Sequence, residues 1–233
     1  MVIFLRSSLL ILLMTISCAV TAADQELATL LDRLIHSYGG EKNLKKMDNM
    51  VQQWDFVAMM GKRHGKDIRS VRSPSQLRVD LIYPEKSETR ILNGEIGQTI
   101  FNTAAPKNVT GMQLDAMRLQ LMRLYSPLML RSKIDSMSLV EDGQNLALSL
   151  SESGVHVFYL VNKENWRIEK VAGTLMTNGR EVQFLTEYSD FKVVEGVLVH
   201  HKENKFASGF NTAKLQLRTI KFDASLDDAL FKP

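Results

Sequence analysis

TGMQLDAMRLQLMRLYSPLMLRS, running from Thr110 to Ser132, interrupts a chain that otherwise alternates like β-strand. Leu114, Met117, Leu121 and Leu124 recur at spacings of three and four, so they share one face of a helix. Met112, Leu119 and Met122 lie off that face, and the apolar band is therefore wider than one sheet contact needs. Ser126-Pro127 reads as an N-cap followed by proline at the first helical position, opening a second short helix through Leu128, Met129 and Leu130. A helix that is apolar on more than one side must be covered on more than one side, or else face a ligand.

Outward from this stretch the period is two. On the N-terminal side, Val51 to Met60, Ile68 to Val71 and Gln76 to Tyr83 read as strands, and Thr89 to Leu92 with Gln98 to Asn102 form a hairpin about Asn93-Gly94. On the C-terminal side, hairpins are predicted across Asp142-Gly143 and Asn178-Gly179. Val155 to Val161 and a meander through Arg167–Met176, Arg180–Tyr188, Lys192–Val194, Gly196–Lys202 and Ala213–Thr219 supply the remaining strands. Ser225 is the predicted cap of a closing helical turn. About ten to twelve antiparallel strands are too many for a flat sheet and should curl into a barrel or part of one. The fold class is mainly β (α+β), with no βαβ rhythm.

Before the strands, Leu27, Leu30, Leu31, Leu34 and Ile35 make one apolar stripe on a helix that Gly39-Gly40 ends, and a second short helix covers Glu41 to Met47. Residues 1–22 read as a secretory signal: one positive charge at Arg6, an apolar run from Leu9 to Ile16, and Val20 and Ala22 before the cleavage point. The mature chain, residues 23–233, is then a single domain with no transmembrane segment. Cys18 is the only cysteine, so cleavage after Ala22 leaves none for disulfides or thiol catalysis. The alternative is a lipid anchor on Cys18, for which Ser17 fits and Thr15 does not.

Lys and Arg number 29 against 26 Asp and Glu, well mixed along the chain, so nothing marks a nucleic-acid partner. No nucleotide, zinc-protease or nucleophile-elbow motif occurs. His200 and His201 are adjacent in a strand and point to opposite faces, so they cannot share a metal. These observations predict no catalytic residues, no metal and no cofactor, hence a non-enzymatic protein. A hydrolase would require His200 or His201 to meet an acid in one cleft.

Methionine is flexible and polarisable, suited to lining an adaptable apolar surface as well as to filling a core. Met59, Met60, Met112, Met117, Met122 and Met129 are candidates for such a surface, and Trp54, Phe56, Val157 and Tyr159 for its sheet-side walls. The candidate ligand-binding set is Trp54, Phe56, Met59, Met112, Met117, Leu121, Met122, Tyr125, Met129, Val157 and Tyr159.

The order of several segments resembles the LolA-like superfamily, the periplasmic outer-membrane lipoprotein carriers and their lipoprotein-sorting-protein-like relatives. The likeness is carried by Tyr38-Gly39-Gly40-Glu41, by Leu77-Arg78-Val79-Asp80 before Tyr83-Pro84, and by Ile91-Leu92-Asn93-Gly94. It continues through Leu185-Thr186-Glu187-Tyr188-Ser189-Asp190-Phe191, Gly196-Val197-Leu198 and Asp228-Ala229-Leu230-Phe231-Lys232-Pro233. The resemblance implies an incomplete antiparallel β-barrel of about eleven strands, with helices over its concave face. It also implies a periplasmic carrier of a lipid or lipoprotein acyl chain, with envelope proteins of the inner or outer membrane as partners. Arg69, Arg72, Arg78 and Arg90 are the candidates for a cavity arginine such as the carrier family has. The alternative role is an interaction or sensor subunit of a cell-envelope complex.

Overall fold

The computed structural model describes residues 25–142, 145–177 and 179–232; the signal sequence and Cys18 lie outside them. The strands are β1 (Asn49–Ala58), β2 (Arg63–Arg72), β3 (Gln76–Ile82), β4 (Ser87–Asn93), β5 (Ile96–Phe101) and β6 (Lys107–Val109), then β7 (Met137–Asp142), β8 (Asn145–Glu152), β9 (Val155–Asn162), β10 (Arg167–Thr177), β11 (Arg180–Val194), β12 (Val197–Ala207) and β13 (Phe210–Lys221). All thirteen belong to one antiparallel sheet in the order β6-β5-β4-β3-β2-β1-β13-β12-β11-β10-β9-β8-β7. Each half is a meander, and the pairing of β1 with β13, from Val51 opposite Lys221 to Ala58 opposite Ala213, joins the halves. The curl is not closed: β6 and β7 are its two free edges.

The strand count exceeds the sequence reading partly because β6, at three residues, is too short to show a period. Elsewhere the sequence reading broke strands that are continuous. Asp190 takes φ 57° within β11, and across it the inward positions step by three, from Tyr188 to Phe191. Opposite, β12 steps likewise from Glu203 to His200, which is how both of those side chains reach the interior.

The helices are α1 (residues 25–37), α2 (Glu41–Leu44), α3 (Met112–Met122) and α4 (Pro127–Arg131). The stripe of α1 is buried as its spacing requires, with Leu31 and Leu34 fully enclosed. Its end is stitched to the sheet: the Tyr38 hydroxyl accepts the Ile168 N–H at 3.0 Å, and the Tyr38 carbonyl accepts the Leu198 N–H at 3.1 Å. Gly39 makes this approach possible. A Cβ there would stand 1.9 Å from the Gly196 carbonyl oxygen. The chain closes with a 3₁₀ turn at Asp228–Phe231, capped by Asp227, which accepts the Ala229 N–H at 2.8 Å. The predicted cap, Ser225, lies two residues too early.

Candidate functional site

Residues 110–136 run from one free edge of the sheet to the other, and α3 spans the gap. It packs on β4 and β5 of one wing and on β9 and β10 of the other, so its wide apolar band is explained by two walls rather than one. Each wall provides a glycine where the helix comes close. A Cβ on Gly97 would lie 2.8 Å from Leu114 Cδ1, and one on Gly173 would lie 2.5 Å from Leu119 Cδ1. Met117, Leu119, Leu121 and Met122 are buried as a result. Ser126 caps α4 as the sequence indicates, accepting the Met129 N–H at 3.2 Å.

Phenols tie down the C-terminal end of α3. Tyr159 donates to the Met122 carbonyl at 2.8 Å, and Tyr188 donates to the Arg123 carbonyl at 3.1 Å. Tyr125 donates from the helix side to Glu152 at 3.2 Å. Burial raises the pKa of all three hydroxyls above the ordinary phenol range, so they remain donors.

Beneath this end lies a polar layer on the concave face. Arg69 bonds Asp67 through Nε and Nη2, and Glu203 through Nη1 at 2.7 Å and Nη2 at 2.9 Å, with all three side chains buried. Its guanidinium also lies over Trp54, 4.9 Å from the ring centre. His200 stacks between Tyr188 at 4.1 Å and Trp54 at 5.6 Å and reaches Glu203 at 3.2 Å. Burial alone would raise the pKa of Glu203, but Arg69, Lys205 and His200 together hold it well below the usual carboxylate range. Of the four arginines proposed for a cavity, Arg69 is the one in the interior; Arg72, Arg78 and Arg90 pair with Asp228, Asp80 and Glu88 in partly exposed positions.

The hollow expected between sheet and helices is not open in this structure. Two small voids remain there, about 50 Å³ beside Arg123, Tyr125, Tyr159 and His200, and about 60 Å³ beside Leu121, Met122 and Tyr125. Each has room for one or two waters. Of the candidate ligand-binding residues, Trp54, Phe56, Met117, Leu121, Met122, Tyr125, Val157 and Tyr159 belong to one buried core, and Met129 packs against it half-buried. Met59 and Met112 stand apart. Met59 is 37% exposed because β1 ends at Ala58, and Met112 is 40% exposed at the first position of α3. Met60 is exposed at the same hairpin tip as Met59.

Two features were not anticipated. A hollow of about 840 Å³ is an open groove whose lining includes outward residues of the sheet. Phe56, Tyr83 and Leu215 add an apolar floor. Outward residues of β12, β13, β1 and β2 supply its basic groups, Lys202, Lys214, Arg218, His64 and Lys66, with Asp55 as its one carboxylate, bonded to Arg218 at 2.6 Å. Each of these sits singly in an alternating strand, so only the pairing register gathers them. His156 has a serine hydroxyl on each ring nitrogen, Ser151 at 2.6 Å from Nδ1 and Ser149 at 3.1 Å from Nε2. Among the described residues both ring nitrogens are taken by serines and no acid bonds the ring, so this trio lacks the base–acid relay that activates a serine. His200 does meet an acid, Glu203, but with no nucleophile bonded to the ring. Among the described residues, no three metal-ligating side chains converge, and no helix is long and apolar enough to cross a membrane.

No family model and no curated protein matches the sequence. Solved structures do. A chain described as an outer membrane lipoprotein-sorting protein domain from Vibrio parahaemolyticus aligns over 90% of this chain and 97% of its own, with TM-score 0.55 and 9% identity. A LolA superfamily protein from Nitrosomonas europaea aligns over 82% of this chain and 96% of its own, with TM-score 0.52 and 14% identity. A DUF1329 family protein from Desulfovibrio piger aligns over 90% and 97%, with TM-score 0.52 and 10% identity. At such low identity the shared property is architecture, a curled antiparallel sheet with helices on its concave side. The chain has a LolA-like fold.

Proposed function

We propose that the protein is a periplasmic, non-enzymatic carrier for a lipid or lipoprotein acyl chain, and that this structure is its closed form. In this reading residues 1–22 are a removed leader, and residues 23–233 form the binding domain. The observation that carries it is the construction of α3–α4: an apolar segment laid across an unclosed sheet and fastened at one end by tyrosine hydroxyls. Lifting that segment would uncover Met117, Leu121, Met122, Tyr125, Val157 and Tyr159. An acyl chain lying against them would regain apolar burial at about 25 cal/mol per Å². Full-length protein should be secreted from its native host and extracted for lipid mass spectrometry. Acyl lipid at a stoichiometry near one is the expected result. Repeated recovery of bare protein that takes up no neutral acyl probe would overturn the reading.

A second reading, an interaction subunit of an envelope complex, is favoured by the basic outer groove. It predicts that reversing Lys66 and Lys214 to Glu abolishes capture of a partner protein while leaving lipid content unchanged.

A further inference from the structure

The polar layer under α3 is not electrically balanced. Arg69, Lys205 and Arg123 contribute three cations to this region, and Asp67 and Glu203 contribute two carboxylates. Arg69 takes up both carboxylates, and Lys205 stands 3.5 Å from Glu203 and 3.9 Å from Asp67. Arg123 is the remainder. It follows the last turn of α3, and its Nε and Nη2 are shut off from solvent and have no hydrogen-bond partner among the described residues. Burial pulls its pKa below that of a free arginine, with Arg69 adding to the effect and Tyr188 and Glu203 opposing it. Two guanidinium nitrogens shut off from solvent without a partner are costly on this half-buried side chain, and the groups that satisfy them best are oxyanions, which accept two parallel hydrogen bonds. Arg123 lines the void of about 50 Å³ between lid and sheet, whose other walls include apolar (Met50, Leu124, Ile168), phenolic (Tyr159, Tyr188) and polar (Gln52, His200) residues.

We propose that Arg123 is the head-group anchor of the ligand site: it binds the carboxylate or phosphate of a single-chain anionic amphiphile whose tail lies under α3. This rests on the carrier reading above and specifies its ligand class. The anion would neutralise the odd cation of the layer, while the tail displaced the lid side chains. The free form would keep Arg123 unpaired, as seen here.

Displacement of N-phenyl-1-naphthylamine, an uncharged probe, from the full-length protein tests it with palmitate, hexadecyl phosphate and hexadecanol. Both anions are expected to bind about tenfold or more tightly than the alcohol, as a charge-assisted bidentate contact allows. Arg123→Met should bring all three within about twofold by weakening the anions alone, and Arg123→Lys should restore part of the gap. The ligand-free Arg123→Met protein should also melt higher than wild type, because two buried, unpartnered guanidinium nitrogens are replaced by an apolar chain of similar length. A preference for palmitate or for hexadecyl phosphate would say which oxyanion is native. Equal binding of anions and alcohol by wild type, or a preference that survives Arg123→Met, overturns the anchor and leaves the carrier standing. Failure of all three to displace the probe removes both. Should Arg123→Met not fold, Arg123→Gln with the same three compounds decides.

Discussion

The phenol of Tyr159, on β9, donates to the main-chain carbonyl of Met122 at 2.8 Å, so the floor of the sheet holds the last turn of α3 from below. That carbonyl, at the helix end, also accepts the Tyr125 N–H at 3.2 Å, and the phenol takes its second lone pair.

Tyr159→Phe keeps the ring and removes the bond. Loss of one of the two donors to this buried carbonyl costs about 1 kcal/mol, and the loss should fall on the lid rather than on the whole sheet. Amide exchange of residues 117–125 is expected to rise about fivefold, with β1 and β13 unchanged. Uniform acceleration over all strands would show that the lid does not open by itself.

Gly173, on β10 beside Tyr159's strand, is the close approach on that same wall. Gly173→Val forces two methyls into the place of the Leu119 side chain, and overpacking of this kind costs about 1–3 kcal/mol. Leu119→Ala in the same chain should return part of that loss. A double-mutant cycle with no coupling between the two positions would contradict the packing described.

The pair formed by Arg69 and Glu203 makes stability depend on pH at the acid end. Because the folded pKa of Glu203 lies below its unfolded value, near 4.3 for a free glutamate, its contribution is complete above that value and is lost as pH falls through the folded pKa. Arg69→Met removes the chief stabilising charge and leaves Glu203 and Asp67 buried without it, at a cost of about 3–5 kcal/mol. With burial then less opposed, the folded pKa of Glu203 rises toward or past its unfolded value. The stability this group loses on acidification then shrinks or reverses, and the acid limb of the variant should be flatter than that of wild type. Urea midpoints between pH 3 and 7 would reveal this, and superimposable acid limbs for the two proteins would refute it.

Ser126→Ala deletes the cap of α4 and leaves the Met129 N–H without its acceptor. A loss of about 1 kcal/mol is expected, read as a lower thermal midpoint. An unchanged midpoint would mean that α4 is held by Leu130 and Pro127 alone.

Much of this was legible in the sequence because it depends on periodicity. The alternation of Leu77, Val79 and Leu81, the hairpin residues Asn93-Gly94, and the stripe on α1 each fix an element locally. The two-sided apolar band of α3 likewise required two contacts. What it could not say is that both contacts are the sheet's own wings, since that depends on how far thirteen strands curl. Glu203 and Arg69 were invisible as a pair for a similar reason. They come from distant strands, and Glu203 lies where Asp190 upsets the alternation. The basic groove is likewise a product of register, with each of its lysines an ordinary outward position of its strand.

The unjoined edges β6 and β7 carry a mechanical meaning, because the chain bridging them is also the cover. Spreading the two wings must pull on both ends of residues 110–136, and shortening that bridge must draw the wings together. Gape and cover thus form one clasp with a fixed tether. The girth of anything held inside is bounded by how many helical residues the bridge can unwind, each releasing about 2 Å as 1.5 Å of helical rise becomes roughly 3.3–3.6 Å of extended chain.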